Sequence, residues 1–432
     1  MTKVLNYIFY LYLFLLPWQT RYIYRFGELG GTNWEYGSLS IYASEIVLWF
    51  LLILYLVHEV RVNGFKLGKK QWDKDKVKLL VAFYGFMVMT IASLLWSRDS
   101  ALAIRSALTV LEAAALFVVI LNLKFDRMKA MIAIIAAAEI QALLAIWQFL
   151  SQQVVANKWL GLAGHLPEVL GDAVVEVGLE RWLRAYGSLA HPNVLAGFLV
   201  LGILSLIYFS YYSQQRIFRI ATLLSLAIMS AALFFTFSRS AWLGLFLAVI
   251  YIVFRLWRGR AVAYQKPLTQ LSIIFVLTFL LLATNFFPLL AARFSGQDRL
   301  EVKSLSERYS YTEQAINLIK DNWVTGVGLG QYTLVLHQND GRNFPAWFFQ
   351  PVHNIYLLIF AELGVLGFAL FIAFILQALW QSIKVRVNET DYIWQSASLA
   401  MLFIGFFDHY LWTHYFGLIL FFIIFGLALK KS

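Results

Sequence analysis

The chain contains no cysteine. Disulfides, thiolate nucleophiles, iron–sulfur clusters and cysteine-ligated zinc are therefore excluded. Charge is scarce as well. Asp, Glu, Lys and Arg make up 14% of 432 residues, where a soluble domain carries roughly 25%. In their place stand hydrophobic residues at 61% and aromatics at 17%, giving a mean hydropathy of +0.69. That much apolar surface does not fit inside a water-soluble core. The sequence is that of an integral membrane protein, which excludes a cytosolic enzyme, a DNA-binding protein and a disulfide-stapled secreted domain. No repeat of fixed period and no low-complexity linker divides the chain.

A membrane-spanning helix needs about 20 mostly apolar residues. Twelve candidate spans follow, near 4–18, 41–60, 78–97, 101–123, 128–150, 188–212, 217–236, 240–257, 268–290, 352–379, 392–411 and 413–429. The fold class expected is an all-α polytopic membrane protein of about 12 transmembrane helices. The first span lacks a small-residue cleavage site and runs into Pro17-Trp18, so it reads as a retained anchor. The last two spans are separated by almost no loop and could form a re-entrant pair.

The net charge of +11 resembles a nucleic-acid signal, but its distribution assigns it to topology. With the N-terminus inside, 21 of the 35 basic residues fall in short cytoplasmic segments: Lys3, Arg61 to Lys78, Lys124 to Lys129, Arg216 and Arg219, Arg255 to Lys266, Lys384 and Arg386, and Lys430-Lys431. This is the positive-inside pattern. Both termini are then cytoplasmic, and no nucleic-acid partner is implied. Two long loops remain outside, 151–187 and 291–351. The chain thus reads as a bundle over 1–290, a large outer loop over 291–351 and C-terminal helices over 352–432. Loops this long are usually functional or disordered. The second carries order: Ser304-Leu-Ser-Glu307 reads as a capping box opening a helix that ends near Asp321-Asn322.

The unusual polar residues gather at the expected outer boundary. Arg239, in the turn Thr236-Phe-Ser-Arg239-Ser, is either a snorkelling arginine or an anion receptor whose planar fork fits phosphate oxygens. His353, in Pro351-Val-His353-Asn354, is either a hydrogen-bonded residue at a span end or a general base with a pKa suited to neutral pH. Asn354 could orient it or the substrate. His191 before Pro192 reads as a helix-opening turn with Asn193 as cap, or as a ligand contact. Arg184 is a phosphate contact or solvated surface; Arg308, with Arg293 and Arg299 earlier in the same loop, is a phosphate contact or the partner of Glu307 or a neighbour.

Other chemistries lack their parts. There is no His-Glu-x-x-His, and the seven histidines at 58, 165, 191, 337, 353, 409 and 414 are scattered, so no metal site and no cofactor are expected. Gly326-Val-Gly-Leu-Gly330 has no Lys-Ser/Thr after it and is not a P-loop; it suits turns with positive φ. Glu45, Arg105, Glu112, Glu139, Glu362 and Asp408 are the ionisable residues inside spans.

The order Arg184-x-Tyr-Gly-x-x-x-His191-Pro-Asn193, Phe237-Ser-Arg239-Ser, Ser306-Glu-Arg308, Gly326-x-Gly-x-Gly330 and His353-Asn-x-Tyr356 resembles the O-antigen ligase and polymerase superfamily, which includes protein O-oligosaccharyltransferases. The resemblance covers about residues 180–370 by motif and the whole chain by span pattern. It implies a GT-C-like fold with one large helical periplasmic loop, in the bacterial cytoplasmic (inner) membrane, with the active site on the periplasmic face. It also implies a glycosyltransferase whose donor is a glycan on undecaprenyl diphosphate. The glycan passes, without metal and with inversion, to a hydroxyl of a lipid, glycan or protein acceptor. By that resemblance Arg239, Arg184 and Arg308 hold the diphosphate, His353 is the catalytic base, and His191, Asn193 and Asn354 support the site. Other glycan-assembly membrane proteins would be partners. A polymerase of the same superfamily, a lipid-linked glycan flippase, a non-catalytic scaffold and a metal-using transferase with Glu28 or Glu35 are the competing functions.

The absence of cysteine makes the topology simple to test. Single cysteines introduced as Leu170→Cys and Lys70→Cys should react with a membrane-impermeant maleimide in intact spheroplasts at position 170 alone. Labelling at position 70 alone would invert the orientation.

Overall fold

The computed structural model describes residues 1–64, 74–212, 215–258, 265–296, 298–342, 344–384 and 391–430. Of the predicted cytoplasmic cations, Lys66, Lys69, Lys70, Arg260, Arg386 and Lys431 lie outside these residues. The helices are α1 (Thr2–Leu15), α2 (Ala43–Asn63), α3 (Lys74–Ala92), α4 (Ser100–Asn122), α5 (Arg127–Ser151), α6 (Pro192–Tyr212), α7 (Arg216–Phe235) and α8 (Arg239–Arg258). They continue with α9 (Gln265–Asn285), α10 (Phe287–Ser295), α11 (Arg299–Asn322), α12 (Tyr332–Asp340), α13 (Ile355–Lys384), α14 (Asp391–Ile404), α15 (Tyr410–Thr413) and α16 (Tyr415–Leu429). Among the described residues, nine helices are long and apolar enough to cross a membrane: α2 to α9 and α13, with α3 extended to Trp96. The helices α1 and α16 are shorter apolar ones.

Twelve spans were expected, and the differences have local causes. The predicted 392–411 span stops at Ile404, because the polar Asp408-His409 pair interrupts the apolar run before α15. The predicted 268–290 span divides after Asn285, where Pro288 near the start of α10 suits a new first turn. In the 291–351 segment the helix starts at Arg299, five residues before Ser304. Gly296, at φ 65°, ends α10, and the Asp298 carbonyl already accepts the Val302 amide at 2.9 Å. Ser304 and Glu307 therefore lie inside α11. Among the described residues, the connections also hold three two-stranded sheets: β1 (Arg21–Arg25) with β4 (Leu39–Tyr42), β2 (Glu28–Leu29) with β3 (Thr32–Asn33), and β5 (Val174–Val177) with β6 (Glu180–Leu183).

The chain divides into two compact units. The first comprises Met1–Arg21, Lys124–Ser306 and Asn388–Ile404. Here α5 packs against α1, α6 and α7, α7 packs against α9, and α14 packs against α6 and α8. Its most enclosed span is α6, with 89% of its apolar window inside the protein against 6% for α9. A helix apolar on every side belongs in such a centre. Close approach comes from small residues: the backbone of Gly202 lies against Ala138 and that of Gly244 against Ala400.

The second unit comprises Tyr22–Leu123, Glu307–Val387 and Gly405–Ser432. Here α3 packs on α13, and α4 packs on α2, α3 and α16. Charges within the helices are paired. Arg105 donates to Glu45 at 2.8 Å and to the Ser40 carbonyl at 2.9 Å, and the Trp49 indole donates to Glu112 at 2.7 Å. Glu362 is buried and accepts from the Trp412 indole at 2.8 Å.

The glycine run has a definite task in this unit. Gly326, Gly328 and Gly330 all have positive φ, at 70°, 98° and 71°. They carry an extended segment across α13 where that helix breaks at Gly364, also at φ 64°. Val327 and Gly328 donate to the carbonyls of Ala361 and Glu362 at 2.9 Å, and Val365 donates to Trp323 at 2.8 Å. The broken helix thereby regains partners for its freed backbone groups. A side chain at Gly364 would strike the Val324 carbonyl, whereas one at Gly341, with φ 65°, meets nothing. Gly341→Ala should therefore cost about 1 kcal/mol, and Gly364→Ala about 2 kcal/mol or more, in thermal unfolding of the detergent-purified chain. Equal costs would show that the crossing is loosely packed.

Candidate functional site

The predicted site residues form two clusters, one in each unit. In the first unit, two glutamines of α5 hold the Tyr-Gly-Ser stretch after Arg184. Gln148 accepts from the amides of Tyr186 and Gly187 at 3.2 and 2.8 Å and donates to the Gly187 carbonyl at 2.8 Å. Gln141 accepts from the Ser188 amide at 2.7 Å. Gly187 is required here: its φ is 61°, and a Cβ would lie 2.7 Å from Gln141 Oε1. The Tyr186 ring stacks on His165 and its hydroxyl accepts from the Ala173 amide at 2.6 Å; burial pushes the phenol up to about 12.

This fixed stretch delivers Arg184 to the interior, where it is 5% exposed. Its Nε donates to the Thr236 carbonyl and a terminal nitrogen donates to Asn193 Oδ1, both at 2.7 Å. The two supporting residues have different tasks from those expected. His191 is the cap, its Nδ1 accepting from the Asn193 amide at 3.1 Å, and Asn193 holds Arg184.

The turn from α7 to α8 is strained. Phe237 is buried with φ 48°, a conformation rare for a bulky residue. Such backbone costs about 1–3 kcal/mol and persists only where the surroundings over-determine it. Here Arg184 binds the carbonyl of residue 236, and Arg293 of α10 binds that of Phe237 at 3.2 Å. The Phe237 amide donates to Phe234, and the Trp242 indole donates to Leu233 at 3.1 Å. The turn then presents Arg239, whose NH2 group donates to Glu301 Oε2 at 3.0 Å and whose NH1 group donates to the Arg293 carbonyl at 2.8 Å. The other Glu301 oxygen accepts from Arg293.

The second unit holds His353, Asn354 and Arg308. His353 precedes α13 by two residues rather than opening it. Asn354 caps the helix, its Oδ1 accepting from the amides of Tyr356 and Leu357 at 2.9 and 3.1 Å. The Ile355 amide donates to the Gly405 carbonyl at 2.9 Å, which ties this helix start to the segment after α14. That segment brings Asp408 and His409 to His353: one ligand atom from each of the three lies within 4.8 Å of the others. The His353 and His409 rings are 5.0 Å apart. His409 Nδ1 and Thr413 Oγ1 are 2.8 Å apart, and the Thr413 hydroxyl donates to the His409 carbonyl at 3.3 Å. His353 Nδ1 is buried with no hydrogen-bond partner among the described residues.

Burial lowers the His353 pKa from its ordinary value, Asp408 opposes that shift and Arg308 adds to it. Arg308 lies on α11 and donates to the Phe407 carbonyl at 3.1 Å. Tyr311 and Tyr36 flank the two histidines, and burial holds both phenols above their usual range. Among the described residues, His353, Asp408 and His409 form a set that could hold a metal ion. Sequence spacing missed it because 55 positions separate its parts. The available signal was the polar Asp408-His409 pair inside an otherwise apolar run. Glu301, on the first turn of α11, was also missed; it is one of several acids in a charged stretch.

Residues 224–372 match the family model described as O-antigen ligase. That segment contains Arg239, Arg293, Glu301, Arg308, His353 and Asn354. A curated relative, a general O-oligosaccharyltransferase of Acinetobacter baylyi (strain ATCC 33305 / BD413 / ADP1), is 24% identical over 253 residues. The similarity covers 56% of this chain, which spans 42% of the relative's length. The family model and the relative together support the O-antigen ligase superfamily for the segment that holds these residues.

Proposed function

We propose that this protein transfers a glycan from a polyprenyl diphosphate, undecaprenyl diphosphate in bacteria, to a hydroxyl acceptor at the outer face of the cytoplasmic membrane. The supporting observation is the half-buried His353, with its Nδ1 enclosed, beside the Asp408 carboxylate at a helix start inside the O-antigen ligase segment. The acceptor hydroxyl oxygen attacks the anomeric carbon, and the bond from that carbon to the phosphate oxygen breaks. The diphosphate leaves with the electron pair, and the hydroxyl proton passes to His353. Asp408 stabilises the imidazolium that forms, and the proton then goes to water. One displacement inverts the anomeric centre. Arg308, beside His353, supplies positive charge for the leaving diphosphate, and Arg239 is carried over as a diphosphate contact by its motif. Arg184, enclosed and bonded to the Thr236 carbonyl and Asn193, acts by positioning the turn that carries Arg239.

The trio is used as acid–base machinery rather than as a metal site. The Arg308 cation beside His353 opposes a divalent ion there, and the departing charge has guanidinium partners. A chelator should therefore leave the rate unchanged; loss of activity restored by a divalent cation would assign the trio to a metal.

The function is read from surface and lipid-linked glycans of a strain lacking the gene, complemented with wild type or His353→Ala. Long glycans stranded on the lipid diphosphate beside bare acceptor identify a ligase. Single repeats on the acceptor, without long chains, identify a polymerase. In both cases His353→Ala should fail to rescue, with a rate at least about 100-fold lower. Full rescue removes His353 from the chemistry, and an unchanged profile in the deletion strain removes the transferase function.

The pH profile tests the pairing with Asp408. Burial favours neutral imidazole, so wild-type activity should persist at pH 6.5 and fall only below it, as His353 takes up a proton. Asp408 raises the His353 pKa, so Asp408→Asn should move the acid limb to lower pH while slowing the reaction. A slower reaction with an unmoved limb would give Asp408 a structural role alone.

A further inference from the structure

Glu301 occupies the place that an anionic ligand of Arg239 would need. Its side chain is 8% exposed, and its two oxygens are taken one each by Arg239 and Arg293. Two guanidinium groups therefore share this one carboxylate. The pair is gripped from behind: Arg239 NH1 donates to the Arg293 carbonyl at 2.8 Å, and Arg293 Nε donates to the carbonyl of the strained Phe237 at 3.2 Å. The two forks are therefore fixed relative to each other whether or not Glu301 is between them.

The three members differ in freedom. The Arg293 side chain is 12% exposed, whereas that of Arg239 is 32% exposed, so the seat opens on the Arg239 side. Glu301 stands on the first turn of α11, next to Leu300, which packs on the Val154, Val174, Leu183 and Tyr186 cluster. The backbone is thus anchored, and the carboxylate can leave by rotation of its own side-chain bonds. Leaving takes the shared carboxylate from both guanidinium groups in a half-buried place, which is unfavourable without another anion to receive them. Departure requires a replacement anion, and two planar forks suit the oxygens of a phosphate.

We infer that Arg239 and Arg293 form one seat for a diphosphate oxyanion, and that Glu301 is an internal carboxylate which the incoming diphosphate displaces. This rests on Arg239 meeting the donor, as proposed above. Arg293 thereby becomes a second donor-binding residue, and Glu301 weakens ligand binding by competing for the same donors. The competition holds the seat preorganised while it is empty of ligand and gives a product diphosphate a way out.

The test is a titration of the full chain, purified in detergent, with farnesyl diphosphate as a short polyprenyl diphosphate probe. Wild type should bind it, and Arg239→Ala and Arg293→Ala should each bind about tenfold more weakly or worse. Glu301→Gln, which removes the competing charge, should bind about tenfold more tightly while unfolding at a lower temperature without the probe. Wild-type or weaker affinity in Glu301→Gln would overturn the displacement and leave Glu301 as scaffold, with the donor role of Arg239 intact. Unchanged affinity in Arg293→Ala would overturn the two-arginine seat. Glu301→Asp keeps the charge but shortens its reach; should the glutamine variant fail to fold, about threefold tighter binding is expected here, and wild-type or weaker affinity overturns displacement. Probe binding by neither wild type nor any variant would overturn the donor site itself.

Discussion

The first cluster depends on one buried contact, the Arg184 guanidinium on the Thr236 carbonyl. A helix end leaves carbonyls without partners, and in apolar surroundings each unpaired carbonyl is costly. The turn after α7 adds backbone strain at Phe237. Two arginines resolve both problems by binding consecutive carbonyls, and the strained turn then presents Arg239. Arg184 is itself held by Asn193, and the chain leading to it is pinned by Gln141 and Gln148 from α5. A motif of short polar residues thus becomes a rigid mount because every member meets a specific neighbour.

Scarce charge is placed with the same economy. Within the helices Arg105 pairs with Glu45, and Glu112 and Glu362 accept from indole N–H groups. Each has a polar neighbour in its own unit, although one Glu112 oxygen is buried without a hydrogen-bond partner among the described residues. The exceptions are the two clusters. In one, two guanidinium groups share a single carboxylate. In the other, a buried imidazole nitrogen has no partner and a carboxylate stands beside it. A carboxylate shared by two guanidinium groups and an imidazole nitrogen without a partner are the features on which the proposed chemistry rests.

Much of this was legible in sequence, and the limits have physical causes. Hydropathy located α2 to α9 and α13, because a long apolar helix advertises its length. It overran at Ile404, where two polar residues weigh little in an average across twenty. The positive φ of Gly326, Gly328 and Gly330 was legible, but their crossing of the broken α13 was not, since a backbone contact leaves no mark on side-chain chemistry. Arg239 and His353 were visible as charge at a span boundary and as histidine after a turn. Their partners were not. Glu301 sits among ordinary helix acids, and Asp408 and His409 reach His353 only through the fold. His191 and Asn193 were seen as a helix opening with Asn193 as cap; His191 Nδ1 takes the Asn193 amide and Asn193 holds Arg184, because an imidazole nitrogen can cap as an amide oxygen can.

The central claim is a single displacement at the anomeric carbon, with His353 as proton acceptor and guanidinium groups facing the leaving diphosphate. The most direct measurement is the anomeric configuration of the newly formed linkage, set by NMR against that of the lipid-linked donor. The account predicts inversion. Retention would require a covalent glycosyl–enzyme intermediate and would contradict it.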